Sequence, residues 1–292
     1  MVLNFVVKEI NQGETLNAFL RKEGVSAALI KKLKFLPDGI LVNGIKQNTN
    51  YIVKAGDEII VNAWDRQEET EKSTVIAQDI PMEIVYIDPC CMVVDKPYYM
   101  PVHPSFNHPT DTLANAFCGY WKKKGENHIF RAINRLDKNT SGLVVIALDS
   151  HTAEQLKGSI SKIYTAIVEG EVRPQHGIIE LPIAREKESI ITRCVREDGQ
   201  YAKTEYDVIK QNERYSLLDI KLHTGRTHQI RVHFSYLGYP LAGDDLYGGK
   251  MNDIQRHALH CRQVSFKSPY NNKQITINSK LPKDMEFIAV KI

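Results

Sequence analysis

One stretch of this chain is the most informative about its fold: Arg135-Leu136-Asp137-Lys138-Asn139-Thr140-Ser141-Gly142, followed at once by Leu143-Val144-Val145-Ile146-Ala147-Leu148. The six apolar residues have the length and β-branched content of a strand covered on both faces, and the preceding Thr-Ser-Gly is a small, turn-prone entry to it. Asp137 is therefore predicted to lie at the mouth of a buried strand. An Asp in such company commonly caps a loop by accepting backbone N–H groups, so capping is the alternative to a chemical role.

Length and charge narrow the class of protein. The chain has 292 residues, with 38 basic against 35 acidic side chains and a formal net charge of +3. That length predicts about two domains, and the near balance of charge means that any contact with nucleic acid must come from local clusters of basic residues. No apolar run approaches the roughly 18 residues of a membrane helix, so we expect a cytoplasmic protein with no membrane partner.

The cysteines and histidines do not suggest a disulfide framework or a metal site. Five cysteines are an odd number without framework spacing, which favours reduced thiols. The chain has no Cys-x-x-Cys or His-Glu-x-x-His pair and no glycine-rich nucleotide-binding motif. We therefore predict no metal and no nucleotide cofactor.

A polar, charge-dense segment from Trp64 to Ser73 lacks hydrophobic periodicity, as tethers between domains do. We therefore divide the chain into residues 1–63, a linker at 64–80 and residues 81–292. In the first unit, Thr15 and Ser26 are predicted to cap two short helices. A strand that ends in an Asn-Gly turn follows at 39–44, and a turn and strand at 55–61, which makes this unit a small α+β module.

Segments of β-type composition outnumber helices in the second unit. Helices are predicted from residue 111 to Trp121 and from His151 to Ser159, and strands at 163–168, 201–210, 215–222, 229–234 and 274–277. This ratio predicts an α+β fold with an antiparallel or mixed central sheet.

Several blocks of the second unit resemble the motifs of the RluA-type pseudouridine synthases. The family pattern His-Arg-Leu-Asp-x-x-Thr-Ser-Gly-Leu is matched from residue 134 to 143, except that Asn134 stands in place of the His. Residues 162–170 resemble the Lys-x-Tyr motif and residues 224–233 the third motif, with further matches at 95–104, 238–248 and 258–260. The resemblance runs from about Pro81 to the C-terminus, and it implies a mixed, mainly antiparallel central sheet with the active cleft across its middle.

The resemblance implies a reaction that needs no cofactor, metal or energy source. The N1–C1′ bond of a uridine in RNA is broken, the base rotates, and C5 is joined to C1′. Asp137 would be the catalytic carboxylate, as a nucleophile at C1′ or C6 or by stabilising charge at C1′. Tyr164 would pack on the uracil and relay a proton from C5, although a Tyr in an apolar strand is more commonly a core residue.

The resemblance also places Arg226 beside Asp137, as the cation that keeps the carboxylate charged; the alternative is a structural ion pair with another acid. Arg135 is expected to help extrude the target uridine, by filling the vacated space or pairing with phosphate. His228, Gln229 and Arg231 are expected to shape the cleft without doing chemistry. On the predicted strand, Gln229 and Arg231 would share one face.

The helix-helix-hairpin order of the first unit resembles the αL RNA-binding domain first known from a small-subunit ribosomal protein. Most of its basic side chains lie on its two helices, and its hairpin has the Asn-Gly turn at residues 43–44 that matches the αL domain. The residues expected to bind RNA are Arg21, Lys31, Lys32, Lys34 and Asn43. The alternative is a solvated helical face, since surface helices are commonly rich in Lys.

We therefore predict a monomeric RNA pseudouridine synthase, with ribosomal RNA favoured over tRNA as its substrate. The first rival is a catalytically silent RNA-binding or ribosome-assembly factor, which should have lost Asp137, Tyr164 or Arg226; all three are present. The second rival is a glycosidase that uses Asp137 on a small nucleoside or sugar. Such an enzyme would normally need a second, paired acid and has no use for residues 1–63.

Overall fold

The computed structural model describes residues 2–63, 75–106, 108–189 and 191–292. The helices in these ranges are α1 (Leu16–Lys22), α2 (Ala27–Leu33), α3 (Leu113–Lys123), α4 (Ser150–Leu156), α5 (Gln229–Tyr236) and α6 (Lys283–Ala289). The strands are β1 (Val2–Val6), β2 (Ile40–Val42), β3 (Ile45–Lys46), β4 (Glu58–Asn62), β5 (Glu83–Ile87), β6 (Cys91–Lys96), β7 (Arg131–Ala132), β8 (Ser141–Ala147), β9 (Ser161–Glu169), β10 (His176–Glu180), β11 (Ile183–Arg185), β12 (Arg193–Val195), β13 (Lys203–Gln211), β14 (Tyr215–Leu222), β15 (Leu259–Lys267) and β16 (Gln274–Asn278).

Residues 2–63 contain an antiparallel sheet with the strand order β1-β4-β2-β3 and the helices α1 and α2. Both predicted caps are confirmed: Thr15 Oγ1 accepts the N–H of Ala18 at 3.2 Å, and Ser26 Oγ accepts the N–H of Leu29 at 3.1 Å. Each bond satisfies an N–H that has no partner within its helix. Buried side chains from both helices, β2 and β4 form a hydrophobic core of their own.

The larger part of the chain is built on one sheet, in which the described residues form ten strands. The order is β10-β13-β14-β9-β15-β8-β6-β5, with β16 also paired to β15 and β7 to β8. Neighbouring strands are antiparallel except for β8 and β15, which run parallel. The expected α+β fold with a mixed, mainly antiparallel central sheet is confirmed. As its apolar sequence predicted, β8 is buried along its whole length.

The segment 229–234, predicted as a strand, is part of helix α5, so this prediction was wrong. Alternating polar and apolar residues are typical of a strand with one buried face, but all six residues are buried. Ile230 and Phe234, one helical turn apart, pack into the core of the large sheet, whereas Val232 packs against the β11-β12 hairpin. The polar His233 between them has a hydrogen-bond partner within 3.0 Å at each ring nitrogen. Because α5 is covered on two sides, the alternation does not mark a single buried face.

The predicted tether at Trp64–Ser73 lies outside the described residues. Residues 75–80, the end of the predicted linker, contact the larger unit. The side-chain amide of Asn115 donates to the carbonyl of Ile76 at 2.8 Å, and the N–H of Gln78 donates to the carbonyl of Asn115 at 3.0 Å. These residues are therefore held against α3, and the domain boundary itself stays a prediction.

No helix in the described ranges is both long and apolar enough to cross a membrane. The same ranges hold no group of three or more His, Cys, Asp or Glu side chains arranged to bind a metal ion.

Candidate active site

Asp137 lies in the loop between β7 and β8, here called the Asp137 loop (133–140). Its side chain is 30 % exposed, in a cleft of about 310 Å³ that Arg135, Tyr164 and Arg226 also line. Within the described residues the carboxylate caps no backbone N–H. The N–H of Thr140 donates instead to the main-chain carbonyl of Asp137, at 3.1 Å. The Asp137 side chain is therefore directed to the cleft and does not serve as a loop cap.

The backbone at the start of β8, where the Asp137 loop ends, lies very close to β15. Gly142 has a φ of +111°, a backbone conformation that favours glycine. A Cβ at this position would lie only 2.3 Å from the carbonyl oxygen of Cys261 in β15. The close parallel pairing of β8 and β15 therefore requires glycine here.

Asn134, which stands where the family pattern has His, is a buried anchor of the Asp137 loop. Its side-chain amide donates to the carbonyl of Leu143 at 2.9 Å, and its oxygen accepts the N–H of Val145 at 2.8 Å. Both partners are main-chain groups of β8. The Asn side chain thus ties the loop to the strand three residues before Asp137 itself, using one donor and one acceptor.

Arg231 of α5 balances the charge of Asp137. Its Nη1 donates to Asp137 Oδ2 at 3.2 Å, while Nε and Nη2 donate to the two carboxylate oxygens of Asp244 at 2.8 and 2.7 Å. Burial by itself lowers the pKa of the Arg231 guanidinium, but the hydrogen bonds and charges of Asp244 and Asp137 outweigh burial and hold that pKa above its ordinary value. A charged guanidinium, fixed by Asp244, therefore faces the Asp137 carboxylate.

His228 approaches the same carboxylate from the residue before α5. Its Nε2 lies 3.7 Å from Asp137 Oδ2, and its Nδ1 is hydrogen-bonded to the hydroxyl of Tyr247 at 2.8 Å. Burial lowers the pKa of the His228 imidazole, and the charge of Arg231 lowers it further, against the opposing charge of Asp137. The ring is thus mostly neutral at pH 7, and Arg231 supplies the positive charge beside Asp137.

Tyr164 of β9 forms one wall of the cleft and is 5 % exposed. Burial, together with the neighbouring Cys261 and the charge of Asp137, raises the pKa of the Tyr164 phenol well above its ordinary value. The phenol therefore keeps its proton at neutral pH, and Tyr164 offers the cleft a ring edge or face and a neutral hydroxyl.

Lys96 is a fully buried lysine beneath the Asp137 loop. Its Nζ donates to the carbonyls of Pro97 and Met100 at 2.8 Å each and to that of Lys138 at 3.3 Å. Because Lys138 follows Asp137 directly, the ammonium holds the backbone of the loop. Burial lowers the pKa of Lys96 to about 7, although the charge of Asp137 opposes this.

Comparisons with known proteins decide the family of this chain. Residues 91–236 match the family model described as RNA pseudouridylate synthase. The uncharacterized RNA pseudouridine synthase YjbO of Bacillus subtilis is 35 % identical over 276 residues, which cover 93 % of this chain and 96 % of that protein. The chain belongs to the RNA pseudouridylate synthase family.

A second relative agrees with this, and a solved structure shares the fold. Ribosomal large subunit pseudouridine synthase D of Pseudomonas aeruginosa is 35 % identical over 270 residues, covering 86 % of this chain and 83 % of that protein. The fold is shared with the human RNA pseudouridylate synthase domain containing 4, with a TM-score of 0.58 and 23 % identity over 70 % of this chain and 90 % of that one. The resemblance to the RluA-type synthases is confirmed, and the protein is a pseudouridine synthase.

The expectation that Arg226 of this synthase lies beside Asp137 as its cation was wrong. Arg226 is exposed in the loop before α5, and its Nε donates to the carbonyl of Tyr201 at 2.9 Å. Among the described residues, the arginine that pairs with Asp137 is Arg231. The two arginines belong to the same motif. Residues 229–236 form a helix, and this conformation directs Arg231 toward Asp137. The Gln229 side chain holds the turn before this helix, since its oxygen accepts the N–H of Arg226 at 3.0 Å.

The residues expected to bind RNA fall into three groups in the synthase. Arg135 is exposed at the mouth of the cleft and has no hydrogen-bond partner within the described residues. The basic residues of the first unit lie on or next to α1 and α2, with Lys32 half-buried and three exposed: Arg21, Lys31 and Lys34.

The expectation that Asn43 binds RNA needs a correction, because the Asn43 side chain forms hydrogen bonds within the hairpin. Its amide donates to Asp57 Oδ1 at 2.8 Å, and its oxygen accepts the N–H of Glu58 at 2.9 Å. With a φ of +51°, Asn43 also supplies the left-handed turn residue. Asn43 is therefore a structural residue of the turn.

Proposed function

We propose that this synthase isomerises uridines in the ribosomal RNA of the large subunit, with Asp137 as its single catalytic carboxylate. The identity to a protein named ribosomal large subunit pseudouridine synthase D supports this choice of RNA. The observation that carries the catalytic assignment is the contact of 3.2 Å between Arg231 and Asp137. A carboxylate that is ion-paired and yet 30 % exposed is held in place and can still reach a ligand.

The lining of the cleft favours this function over a glycosidase. Among the described residues that line it, Asp137 is the one carboxylate. The nearby Asp244 is 1 % exposed and is bound on both oxygens by Arg231. A glycosidase that uses two carboxyl groups needs the second one at the scissile bond, and the described lining of this cleft does not offer one.

Asp137 has three chemically distinct routes open to it: attack at C1′, attack at C6, or stabilisation of positive charge at C1′ during cleavage of the N1–C1′ bond. In each route the contact with Arg231 orients the carboxylate. Tyr164 packs on the uracil as the base rotates. Because its phenol is neutral, Tyr164 can relay the C5 proton only by passing its own proton on as it accepts another.

Arg135 acts in presenting the uridine to Asp137. A uridine stacked in RNA must leave its stack before C1′ can reach the carboxylate, at a cost of a few kcal/mol. The Arg135 guanidinium is exposed at the cleft mouth, where it can stack in the vacated space or pair with a phosphate. Its lack of a partner within the described residues leaves it available for either contact.

Residues 1–63 serve as an RNA-binding module joined to the catalytic unit (81–292) by a linker at 64–80, whose residues 75–80 are held against α3 of the catalytic unit. The exposed Arg21, Lys31 and Lys34 form its phosphate-binding surface together with Lys32. Replacing Lys31 and Lys34 together by Gln should make RNA binding weaker and less dependent on salt. If the binding isotherms of this variant superimpose on those of the parent at several salt concentrations, the module is not an RNA anchor.

The proposed function is tested by tritium release from transcripts labelled at C5 of uridine, because the C5–H bond is lost when C5 joins C1′. The parent should release tritium from a large-subunit ribosomal RNA transcript and not from tRNA. Asp137→Asn should release none and bind the same RNA with nearly the parental affinity, since the change removes charge but little volume. Turnover by Asp137→Asn would contradict the catalytic role, and release from tRNA alone would contradict the choice of substrate.

A further inference from the structure

A second cleft, here called the arginine cleft, opens beside the Asp137 cleft at the β11-β12 hairpin. It measures about 300 Å³, and its lining includes Arg185, Arg193 and Arg226. Arg226 and Thr227 line both clefts, so the two spaces adjoin. The chemistry proposed above uses none of these three arginines.

The arginine cleft carries an excess of positive charge. The Arg185 guanidinium is exposed and has no partner within the described residues. Arg226 Nε donates to a main-chain carbonyl oxygen at 2.9 Å, and a neutral acceptor does not cancel the charge of a guanidinium. Among the described residues that line this cleft, the one acid is Asp198, which is already ion-paired with Arg196.

The charge of the arginine cleft extends to the catalytic centre. Arg193 contributes to lowering the pKa of His228, after the larger effects of burial and of Arg231. His228 Nε2 in turn lies 3.7 Å from Asp137. A ligand that spans both clefts would therefore place an anionic group among the arginines while a neutral group faces Asp137.

We infer that the arginine cleft binds a phosphate of the RNA backbone next to the target uridine, so that the strand enters or leaves the Asp137 cleft across Arg226. This inference rests on the proposed function, because it takes RNA as the ligand. Planar guanidinium groups match the oxygens of a phosphodiester in pairs, and phosphate contacts fix the position of a nucleic acid without reading its sequence. Arg226 thus serves in positioning the strand and not as the counter-ion of Asp137.

The test compares Arg185→Gln with the parent and with Arg214→Gln in the full chain. Arg214 is the control: it is an exposed arginine, ion-paired with Asp253, that precedes β14 and thus lies at the opposite end of that strand from Leu222, which lines the Asp137 cleft. Binding of a labelled large-subunit RNA transcript is measured by fluorescence anisotropy between low and moderate salt. Arg185→Gln should bind about tenfold more weakly at low salt, which corresponds to one charge-assisted contact.

Loss of one phosphate contact also reduces the slope of log affinity against log salt concentration, by about 0.7 to 0.9. Arg214→Gln should change neither quantity. At saturating enzyme, the single-turnover rate of Arg185→Gln should equal that of the parent, because Arg185 positions the strand and does not touch the reacting base. Arg226→Gln should show the same losses of affinity and slope.

A competitor made only of abasic ribose-phosphate units separates phosphate binding from base binding. The competitor should bind the parent more tightly than it binds Arg185→Gln. Parental affinity and salt dependence in Arg185→Gln would overturn the inference, as would a loss of RNA affinity with unchanged affinity for the abasic competitor. These binding measurements do not depend on turnover, so a parent that binds RNA and releases no tritium would count against the proposed function alone.

Discussion

The arginine that pairs with Asp137, the proposed catalytic carboxylate, is Arg231, and the substitution Arg231→Lys tests the importance of this pair. The guanidinium bridges two carboxylates, with two bonds to Asp244 and one, of 3.2 Å, to Asp137. A lysine keeps the charge but offers a compact ammonium in place of the planar fork. We expect it to stay with the buried Asp244 and to lose the contact with Asp137.

The expected magnitude follows from that single contact. A hydrogen bond between charged groups contributes about 1.5–3 kcal/mol, so its loss from the transition state should slow the chemical step about 10- to 150-fold. Arg231→Met is a poorer test, because it leaves Asp244 buried without a partner, at a cost of about 3–5 kcal/mol in folding. The assay is single-turnover tritium release at saturating enzyme, with the melting temperature of each variant measured alongside.

Arg226→Lys is the matched comparison, since it makes the same chemical change in the same motif at a residue that does not contact Asp137. Its single-turnover rate at saturating enzyme should fall far less than that of Arg231→Lys. The reasoning is refuted if Arg226→Lys slows the chemical step as much as Arg231→Lys, or if a folded Arg231→Lys turns over as fast as the parent.

Three further predictions concern the support of the Asp137 loop. Gly142→Ala should lower the free energy of unfolding by about 3 kcal/mol or more. Gly125→Ala, at a φ of +75° with open space around its Cβ position, should lower it by only about 1 kcal/mol, and equal losses in urea titrations would contradict the close approach of β8 to β15. Asn134→Ala should destabilise the protein by about 1–3 kcal/mol for each β8 main-chain group left unpaired and should slow tritium release. Asn134→His should recover much of the stability and of the rate, because imidazole also offers a donor and an acceptor. An Asn134→Ala variant with parental stability and rate would exclude the anchoring role. The pKa of Lys96 is about 7 in the folded chain against an ordinary value of 10.5. Between these pH values the unfolded chain binds more protons, so the free energy of unfolding should rise with pH, by up to about 1.4 kcal/mol per pH unit. This rise should be absent from Lys96→Met, and parallel curves of unfolding free energy against pH for the two proteins between pH 7 and 9 would refute it.

Much of the fold could be predicted from the sequence because the relevant interactions are local. The caps at Thr15 and Ser26 are set by a side chain and an N–H three residues later, and the structure has both. The buried strand β8 follows from an apolar run with a glycine at its entry, where the structure shows a left-handed φ and a close strand neighbour. The position of Asp137 just before β8 was therefore readable in advance.

Helix α5 could not be read in the same way. The alternation in 229–234 predicts a strand only if one face is buried, and here the large sheet and the β11-β12 hairpin cover different sides of the segment. That second cover comes from residues distant in the sequence, which local periodicity does not report. Tertiary packing therefore overrode the pattern.

The sequence by itself determined which residue types meet in the cleft, since the three motifs name Asp137, Tyr164 and the arginines of the third motif. Only the tertiary structure decided which arginine faces Asp137. Arg231 and Asp137 are separated by 94 positions in the chain, and their contact depends on the helical turn that begins at Gln229 and on the buried Asp244 that fixes the guanidinium. A motif records which residues are present, whereas the direction of each side chain follows from the backbone conformation that long-range burial imposes.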